Sequence, residues 1–285
     1  MECDVGGITV DYETCGQGRP ILMLHGLYSD HSGMTFTMEP HFTERDGWRR
    51  IYLDLPGHGR TPAPGWIVSH DQVLDVIEEF IDRVIPGERF LVAAQSYGGY
   101  LARGLIYRRG EKIDGVLLTV PVIVPNPAPE DLPPRTVVAG DPAIVAQARA
   151  ENLAGFEDMT VTQSADALSV FRVYKAIPSP DHELLDRLSQ SSTFTFDVDA
   201  PPQPFQAPTL FILGRQDHWF GYCDAWRILE NYPRATFAIL DGGGHVIYAE
   251  KKALFGALVR EWLDRVEQWT RARAPMDGAM GGAPS

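Results

Sequence analysis

Phe90-Leu-Val-Ala-Ala94-Gln-Ser96-Tyr-Gly98-Gly-Tyr-Leu-Ala-Arg103 sets an apolar run against an abrupt change of texture. Phe90 to Ala94 reads as a buried strand, Ser96 as the tip of a turn, and the residues from Tyr97 as a helix. Ala94-x-Ser96-x-Gly98 has the small-x-Ser-x-small spacing of a nucleophile elbow, with Ala where Gly is commoner. The small flanks have a steric reason. A strand that turns sharply into a helix brings two backbones together, and side chains larger than Ala would collide there. Such a turn strains the serine but leaves its hydroxyl at the top of a sheet, beside a helix N-terminus whose free N–H groups favour negative charge. A plain core strand followed by a small-residue helix start would spell the same letters, so the rest of the chain decides.

Composition narrows the field first. With 285 residues and 44% apolar content, the chain can bury a large core. Its formal charge of −13 argues against nucleic acid and anionic membrane surfaces as partners, because both require a basic patch. Cys3, Cys15 and Cys223 are too scattered for a disulfide framework or a zinc site. The acidic opening Met1-Glu2-Cys3-Asp4 leads into no apolar signal segment, and no run of about 18 apolar residues follows. A cytoplasmic protein acting on a small molecule, with no membrane partner, is the expectation; monomer and homodimer both stay open.

Outward from the central stretch, a β-then-α rhythm emerges. Gly7 to Thr14 alternates like a half-exposed edge strand, and Ile21 to Leu24 is apolar throughout, as a strand covered on both faces should be. It runs into His25-Gly26-Leu27-Tyr28, where glycine lets the backbone bend and Leu27 present its N–H. Trp48 to Leu53 is a strand ending in Asp54-Leu-Pro-Gly-His58-Gly, and Asp71 to Ile85 has a helical period. Gly115 to Val120 is another buried strand. Between residues 121 and 205 the rhythm stops and proline becomes frequent. Helical pieces are predicted from Pro142 to about Leu153, from Ser164 to Ala176 and from Pro180 to Ser189. This segment reads as an inserted helical cap, with a disordered linker as the alternative. The rhythm resumes over 206–273, with strands at Thr209 to Leu213 and Ala235 to Leu240, and helices at Tyr222 to Asn231 and Val246 to about Thr270. Residues 274–285, rich in Gly, Ala and Pro, read as a disordered tail. Residues 1–120 and 206–273 thus form an α/β core with a mostly parallel, doubly wound sheet, and 121–205 a cap.

In such sheets functional groups gather at the carboxyl ends of the strands, and Ser96, Asp217 and His245 all lie there. Their order along the chain is Ser, Asp, His. Together with His25-Gly26, Asp54-Leu-Pro-Gly-His-Gly and the elbow, Gly-Arg-Gln-Asp217 and Gly-Gly-His245 make the chain resemble the α/β-hydrolase superfamily, in its serine-nucleophile branch with a helical cap. The resemblance spans nearly the whole chain and departs from the usual pattern at Ala94. It implies that Ser96 attacks, that His245 takes its proton, and that Asp217 orients the imidazole. It further implies that the backbone N–H groups of Leu27 and Tyr97 meet the developing oxyanion.

Competing assignments remain at this level. Asp217 could be a helix N-cap, and Asp241 is a rival acid only three glycines from His245. His25, His58 and His218 read as loop-shaping residues, and no metal-ligand spacing or cofactor motif is present. Tyr28, Phe171, Trp219 and Phe220 are candidate substrate contacts; Phe156, Tyr174, Phe194, Phe196 and Phe205 are further aromatics that either line a pocket or form core. The resulting expectation is hydrolysis of a small to medium, mostly neutral ester, lactone or thioester through an acyl-serine. The same residues also suit C–C bond hydrolysis, cofactor-free perhydrolysis, lyase chemistry or a weakly turning-over receptor.

Overall fold

Continuous apolar runs become the middle of a sheet because only a strand covered on both faces can bury every side chain. The computed structural model describes residues 1–191 and 193–273, and the tail expected over 274–285 lies outside the described residues. Strands β1 (Glu2–Val5), β2 (Ile8–Cys15), β3 (Arg19–Leu24), β4 (Trp48–Leu53), β5 (Phe90–Gln95), β6 (Ile113–Thr119), β7 (Thr209–Gly214) and β8 (Ala235–Leu240) form one sheet, ordered β1-β2-β4-β3-β5-β6-β7-β8. β1 and β4 pair antiparallel to β2, and every other pairing is parallel. All of β5, β6 and β7 is buried, whereas β8 at the rim is half-buried throughout.

Successive residues of β5 face opposite ways, and each face meets its own layer. Val92 and Ala94 join Phe80 and Leu105, from helices α2 (His70–Val84) and α3 (Tyr97–Arg109). Leu91 and Ala93 join Met34 and Trp262 on the other side. Those two come from α1 (His31–Met38) and α10 (Lys252–Arg273).

Between β6 and β7 the chain carries α4 (Pro142–Ala150), α5 (Phe156–Met159), α6 (Ala165–Ala176) and α7 (His182–Ser191). The Asp141 and Ser164 side chains cap α4 and α6 at their N-termini, and Pro142 opens α4. Among its described residues the buried apolar ones join the two layers on the sheet rather than a separate cluster. Phe156, Leu168 and Phe171 belong to the α1/α10 layer, while Leu184, Leu188, Phe194 and Phe205 belong to the α2/α3 layer.

Several expectations shift. The edge strand is β1, joined to β2 by Gly6 and Gly7 at positive φ, so β2 is flanked on both sides. α1 has no apolar periodicity to announce it; Asp30 creates it by accepting from Ser32 N and Gly33 N. Beyond β7, the helix expected over Tyr222 to Asn231 is only α8 (Cys223–Arg227) with a short 3₁₀ turn. The last helix is two, α9 (Ile247–Glu250) and α10, divided at Lys251.

Arg103 ties the insertion to the sheet layer. Its side chain is fully buried, donates from Nη1 to the carbonyls of Val122 (3.3 Å) and Ile123 (2.8 Å), and pairs with Asp199. One arginine on α3 therefore holds both ends of the inserted segment. Arg103→Ala orphans those carbonyls and opens a void; urea unfolding is expected to show a loss of about 3 kcal/mol.

Candidate functional site

The turn from β5 to α3 holds Ser96 at φ 51° and ψ −118°, a backbone region that side-chain-bearing residues rarely adopt. Three hydrogen bonds enforce it: Ser96 N donates to Thr119 O (3.0 Å), and Ser96 O accepts from Gly99 N (2.9 Å) and Val122 N (3.0 Å). The start of α3 is pressed against the end of β3. A Cβ on Gly98 would stand 2.3 Å from Leu24 O, and one on Gly26 would stand 3.0 Å from Ser96 Cβ.

The loops after β7 and β8 close on this serine. His245 Nε2 lies 2.9 Å from Ser96 Oγ, and His245 Nδ1 lies 2.9 Å from Asp217 Oδ2. Asp217 is buried, and its other oxygen accepts from Trp219 N (3.0 Å) and Phe220 N (3.3 Å). The carboxylate thus stiffens its own loop and holds the imidazole, with one oxygen for each task. Gly214 keeps the two loops together: a Cβ there would be 2.6 Å from both Gly243 O and Gly244 O. Asp241 is engaged elsewhere, accepting from Gln216 Nε2 at 2.8 Å.

Leu27 follows β3 and Tyr97 is the first residue of α3, so both backbone amides lie at the same end of the sheet as Ser96. A buried histidine secures each neighbourhood. His25 Nε2 accepts from Leu55 N (3.0 Å), which leaves the proton on Nδ1 to donate to Gly26 O (2.8 Å). His70 Nδ1 lies 2.9 Å from the Tyr97 hydroxyl, among the rings of Tyr100 and Phe194. His58 Nδ1 bonds Pro56 O at 3.0 Å, and His218 faces Asp158 of α5.

The aromatic candidates separate. The Phe220 ring is 5.4 Å from that of His245. Tyr28 and Trp219 are exposed, as is Leu27 in part. Phe171 is only 3% exposed and packs edge-on to Phe156 at 5.3 Å, so its ring serves the core. Tyr174, one of the further aromatics, and Tyr248, absent from the sequence-based candidates, do reach the elbow. Tyr174 of α6 and Tyr248 of α9 bond through their hydroxyls, and Gln95, next to Ser96, points its amide at Tyr174 Oη (3.5 Å). No local signal marks them, because the contact spans three separate elements. A cavity of about 650 Å³ lies behind Tyr248, lined by Phe36, His41, Val170 and Lys252, and Ser96 is not in its wall. None of Ser96, Asp217 and His245 lines that cavity. Asp11, His31 and Asp54 bring ligand-type atoms within 4.8 Å of one another. Both Asp54 oxygens, however, already accept from N–H donors of His31 and Arg60.

This arrangement can move a proton from a hydroxyl to an imidazole that a buried carboxylate steadies. Residues 19–252 match the alpha/beta hydrolase fold family. The chain therefore belongs to that family, a class named for hydrolase-type enzymes. Among curated relatives, it is 30% identical over 112 residues to the AB hydrolase superfamily protein YisY of Bacillus subtilis, a match covering 39% of this chain and 41% of that protein. The chain thus spans less than half of that relative in the match. An alpha/beta superfamily hydrolase from Oenococcus oeni superposes with a TM-score of 0.79 at 25% identity, over 94% of this chain and 99% of that one. A thermophilic esterase from Thermogutta terrifontis shares the fold with a TM-score of 0.70 at 18% identity, over 93% and 99%.

Burial pushes both His25 and His70 down to about 4, with the neighbouring His58 adding to the effect at His25. An imidazole whose folded pKa lies below its unfolded value of about 6.5 contributes stability that is present above that value and lost as pH falls toward 4. His70→Gln removes one such group. Its stability should fall less than the wild type's between pH 7 and pH 5, by about 2 kcal/mol, in urea titrations at the two pH values.

Proposed function

We propose that this protein hydrolyses a small to medium, mostly neutral carboxylic ester, lactone or thioester through an acyl-Ser96 intermediate. The observation that carries the reading is the unbroken line of contacts from Ser96 Oγ through His245 to Asp217, each 2.9 Å long. Ser96 Oγ attacks the substrate carbonyl as His245 Nε2 takes its proton, and Asp217 stabilises the resulting imidazolium. The carbonyl electrons move onto oxygen, where the N–H groups of Leu27 and Tyr97 receive the charge. Collapse of that intermediate expels the alcohol or thiol, which leaves with the proton from His245. Water activated by the same imidazole then releases the acid and restores Ser96.

The substrate class rests on the surroundings. Leu27, Tyr28, Trp219 and Phe220 offer apolar surface near the three residues, and the chain's charge of −13 disfavours strongly anionic substrates. The proposed mechanism uses side chains and backbone amides alone.

A serine-directed fluorophosphonate is expected to add to Ser96, read by mass spectrometry of the digest; an unmodified Ser96 would sink the acyl-serine route. Across p-nitrophenyl esters, short and medium chains should be favoured, with and without EDTA. Adduct formation with no ester turnover would point instead to another reaction on the same residues. Ser96→Ala and His245→Ala should each lower kcat by about 10⁴- to 10⁶-fold and Asp217→Asn somewhat less. Asp241→Asn should stay within a few-fold of wild type, since Asp241 bonds Gln216 rather than His245.

A further inference from the structure

We propose, building on the reading of Ser96 and His245 as nucleophile and base, that Glu250 is a positioning residue: its buried carboxylate locks the loop bearing His245 to the inserted segment. Glu250 ends α9, five residues after His245, and is only 8% exposed. Its Oε2 accepts from Gly244 N at 2.6 Å. Its Oε1 accepts from Val161 N at 2.5 Å and Thr162 N at 3.0 Å. Its own backbone N–H donates to Val246 O at 3.2 Å. His245 therefore sits inside a ring that one residue closes twice, through its side chain to position 244 and through its backbone to position 246.

The contact is close-packed as well as hydrogen-bonded. A Cβ on Gly244 would lie 2.7 Å from Val161 Cγ2 and 3.2 Å from Met159 O, so residues 159–162 rest directly on the loop. Thr162 adds a second tie, donating from Oγ1 to Gly242 O at 2.7 Å. Val138 N and Ala139 N both donate to Val161 O, which continues the join into the strap before α4.

The chemistry calls for a carboxylate. Three backbone donors converge from two segments, two on one oxygen and one on the other, and only an ionised acid offers acceptors at both ends. No lysine, arginine or histidine among the described residues pairs with it. Burial raises the acid's pKa and the nearby Asp217 charge raises it further, while the three N–H donors pull the other way. Holding an unpaired acid in such a place is costly, and what it secures is the spacing of the imidazole from Ser96 and Asp217.

The test compares wild type with Glu250→Gln and Thr162→Val. The amide keeps the shape but turns an NH₂ toward one of the three donors. In Glu250→Gln, kcat and the fluorophosphonate labelling rate are expected to fall together by about 10- to 100-fold, with KM within about three-fold. The NMR signal of the proton between His245 and Asp217 should shift or broaden as well. Thr162→Val, which severs the other tie, should lower kcat by a few-fold. Wild-type kcat and labelling in both variants would overturn the proposal, as would losses that merely track the folded fraction by circular dichroism. If Glu250→Gln does not fold, Glu250→Asp, which keeps the charge but draws it back from the three donors, decides by the same readouts. Should wild type itself neither turn over esters nor be labelled, the functional reading is what fails; the His245 proton signal then judges Glu250, because it needs no turnover.

Discussion

A backbone turn with almost no free space governs this molecule. β5 must end, reverse and become α3 within a few residues, while the start of α3 lies against the last carbonyl of β3. That contact leaves no room for a side chain at position 98 and forces Ser96 to positive φ, at a cost of about 1–3 kcal/mol. The cost is borne by what surrounds it: the parallel pairing of β3, β5 and β6, and three backbone hydrogen bonds on Ser96 itself. Because the strain is over-determined, the hydroxyl has one position, and the loops after β7 and β8 can be built to meet it. Position, rather than an unusual side chain, is what sets Ser96 apart.

The loops that meet it are rigid for a related reason. Several polar groups near the trio serve two partners. Asp217 splits its oxygens between His245 and its own loop, and His25 bridges two loops through both ring nitrogens. Gln216 donates to Asp241 while accepting from Gly242 N. Shared partners in a low-dielectric interior leave few alternative arrangements, since releasing any one of them strands another.

The insertion between β6 and β7 is bound into the same scheme. Its buried aromatic residues complete the two layers already covering the sheet. Arg103 holds its two ends, Tyr174 reaches the residue beside the serine, and residues 161–162 rest on the loop of His245. Anything that shifts the insertion therefore reaches the surroundings of Ser96 and His245 through named hydrogen bonds.

The sequence by itself determined the sheet, the elbow bearing Ser96 and the place of His245 after the last strand, because each is written in local chemistry. A short apolar run bounded by turn residues suits a covered strand, small residues flanking a serine suit a place where backbones crowd, and glycine closes β7 and fills the turn after β8. The start of α4 at Pro142 was legible for the same reason. Elements held by distant partners were not. β1 is too short to show an alternation, and α1 is made by its cap rather than by an apolar stripe. The break at Lys251 is invisible within a continuous helical pattern. Only the tertiary structure decided which acid faces His245, since Asp217 and Asp241 differ in their through-space neighbours and not in type. It also decided that Phe171 packs inward, that His70 meets Tyr97, and that Glu250 gathers three backbone donors. Hydrogen bonds between segments tens of residues apart leave no periodic trace along a chain; they exist only once the sheet has brought its strand ends together.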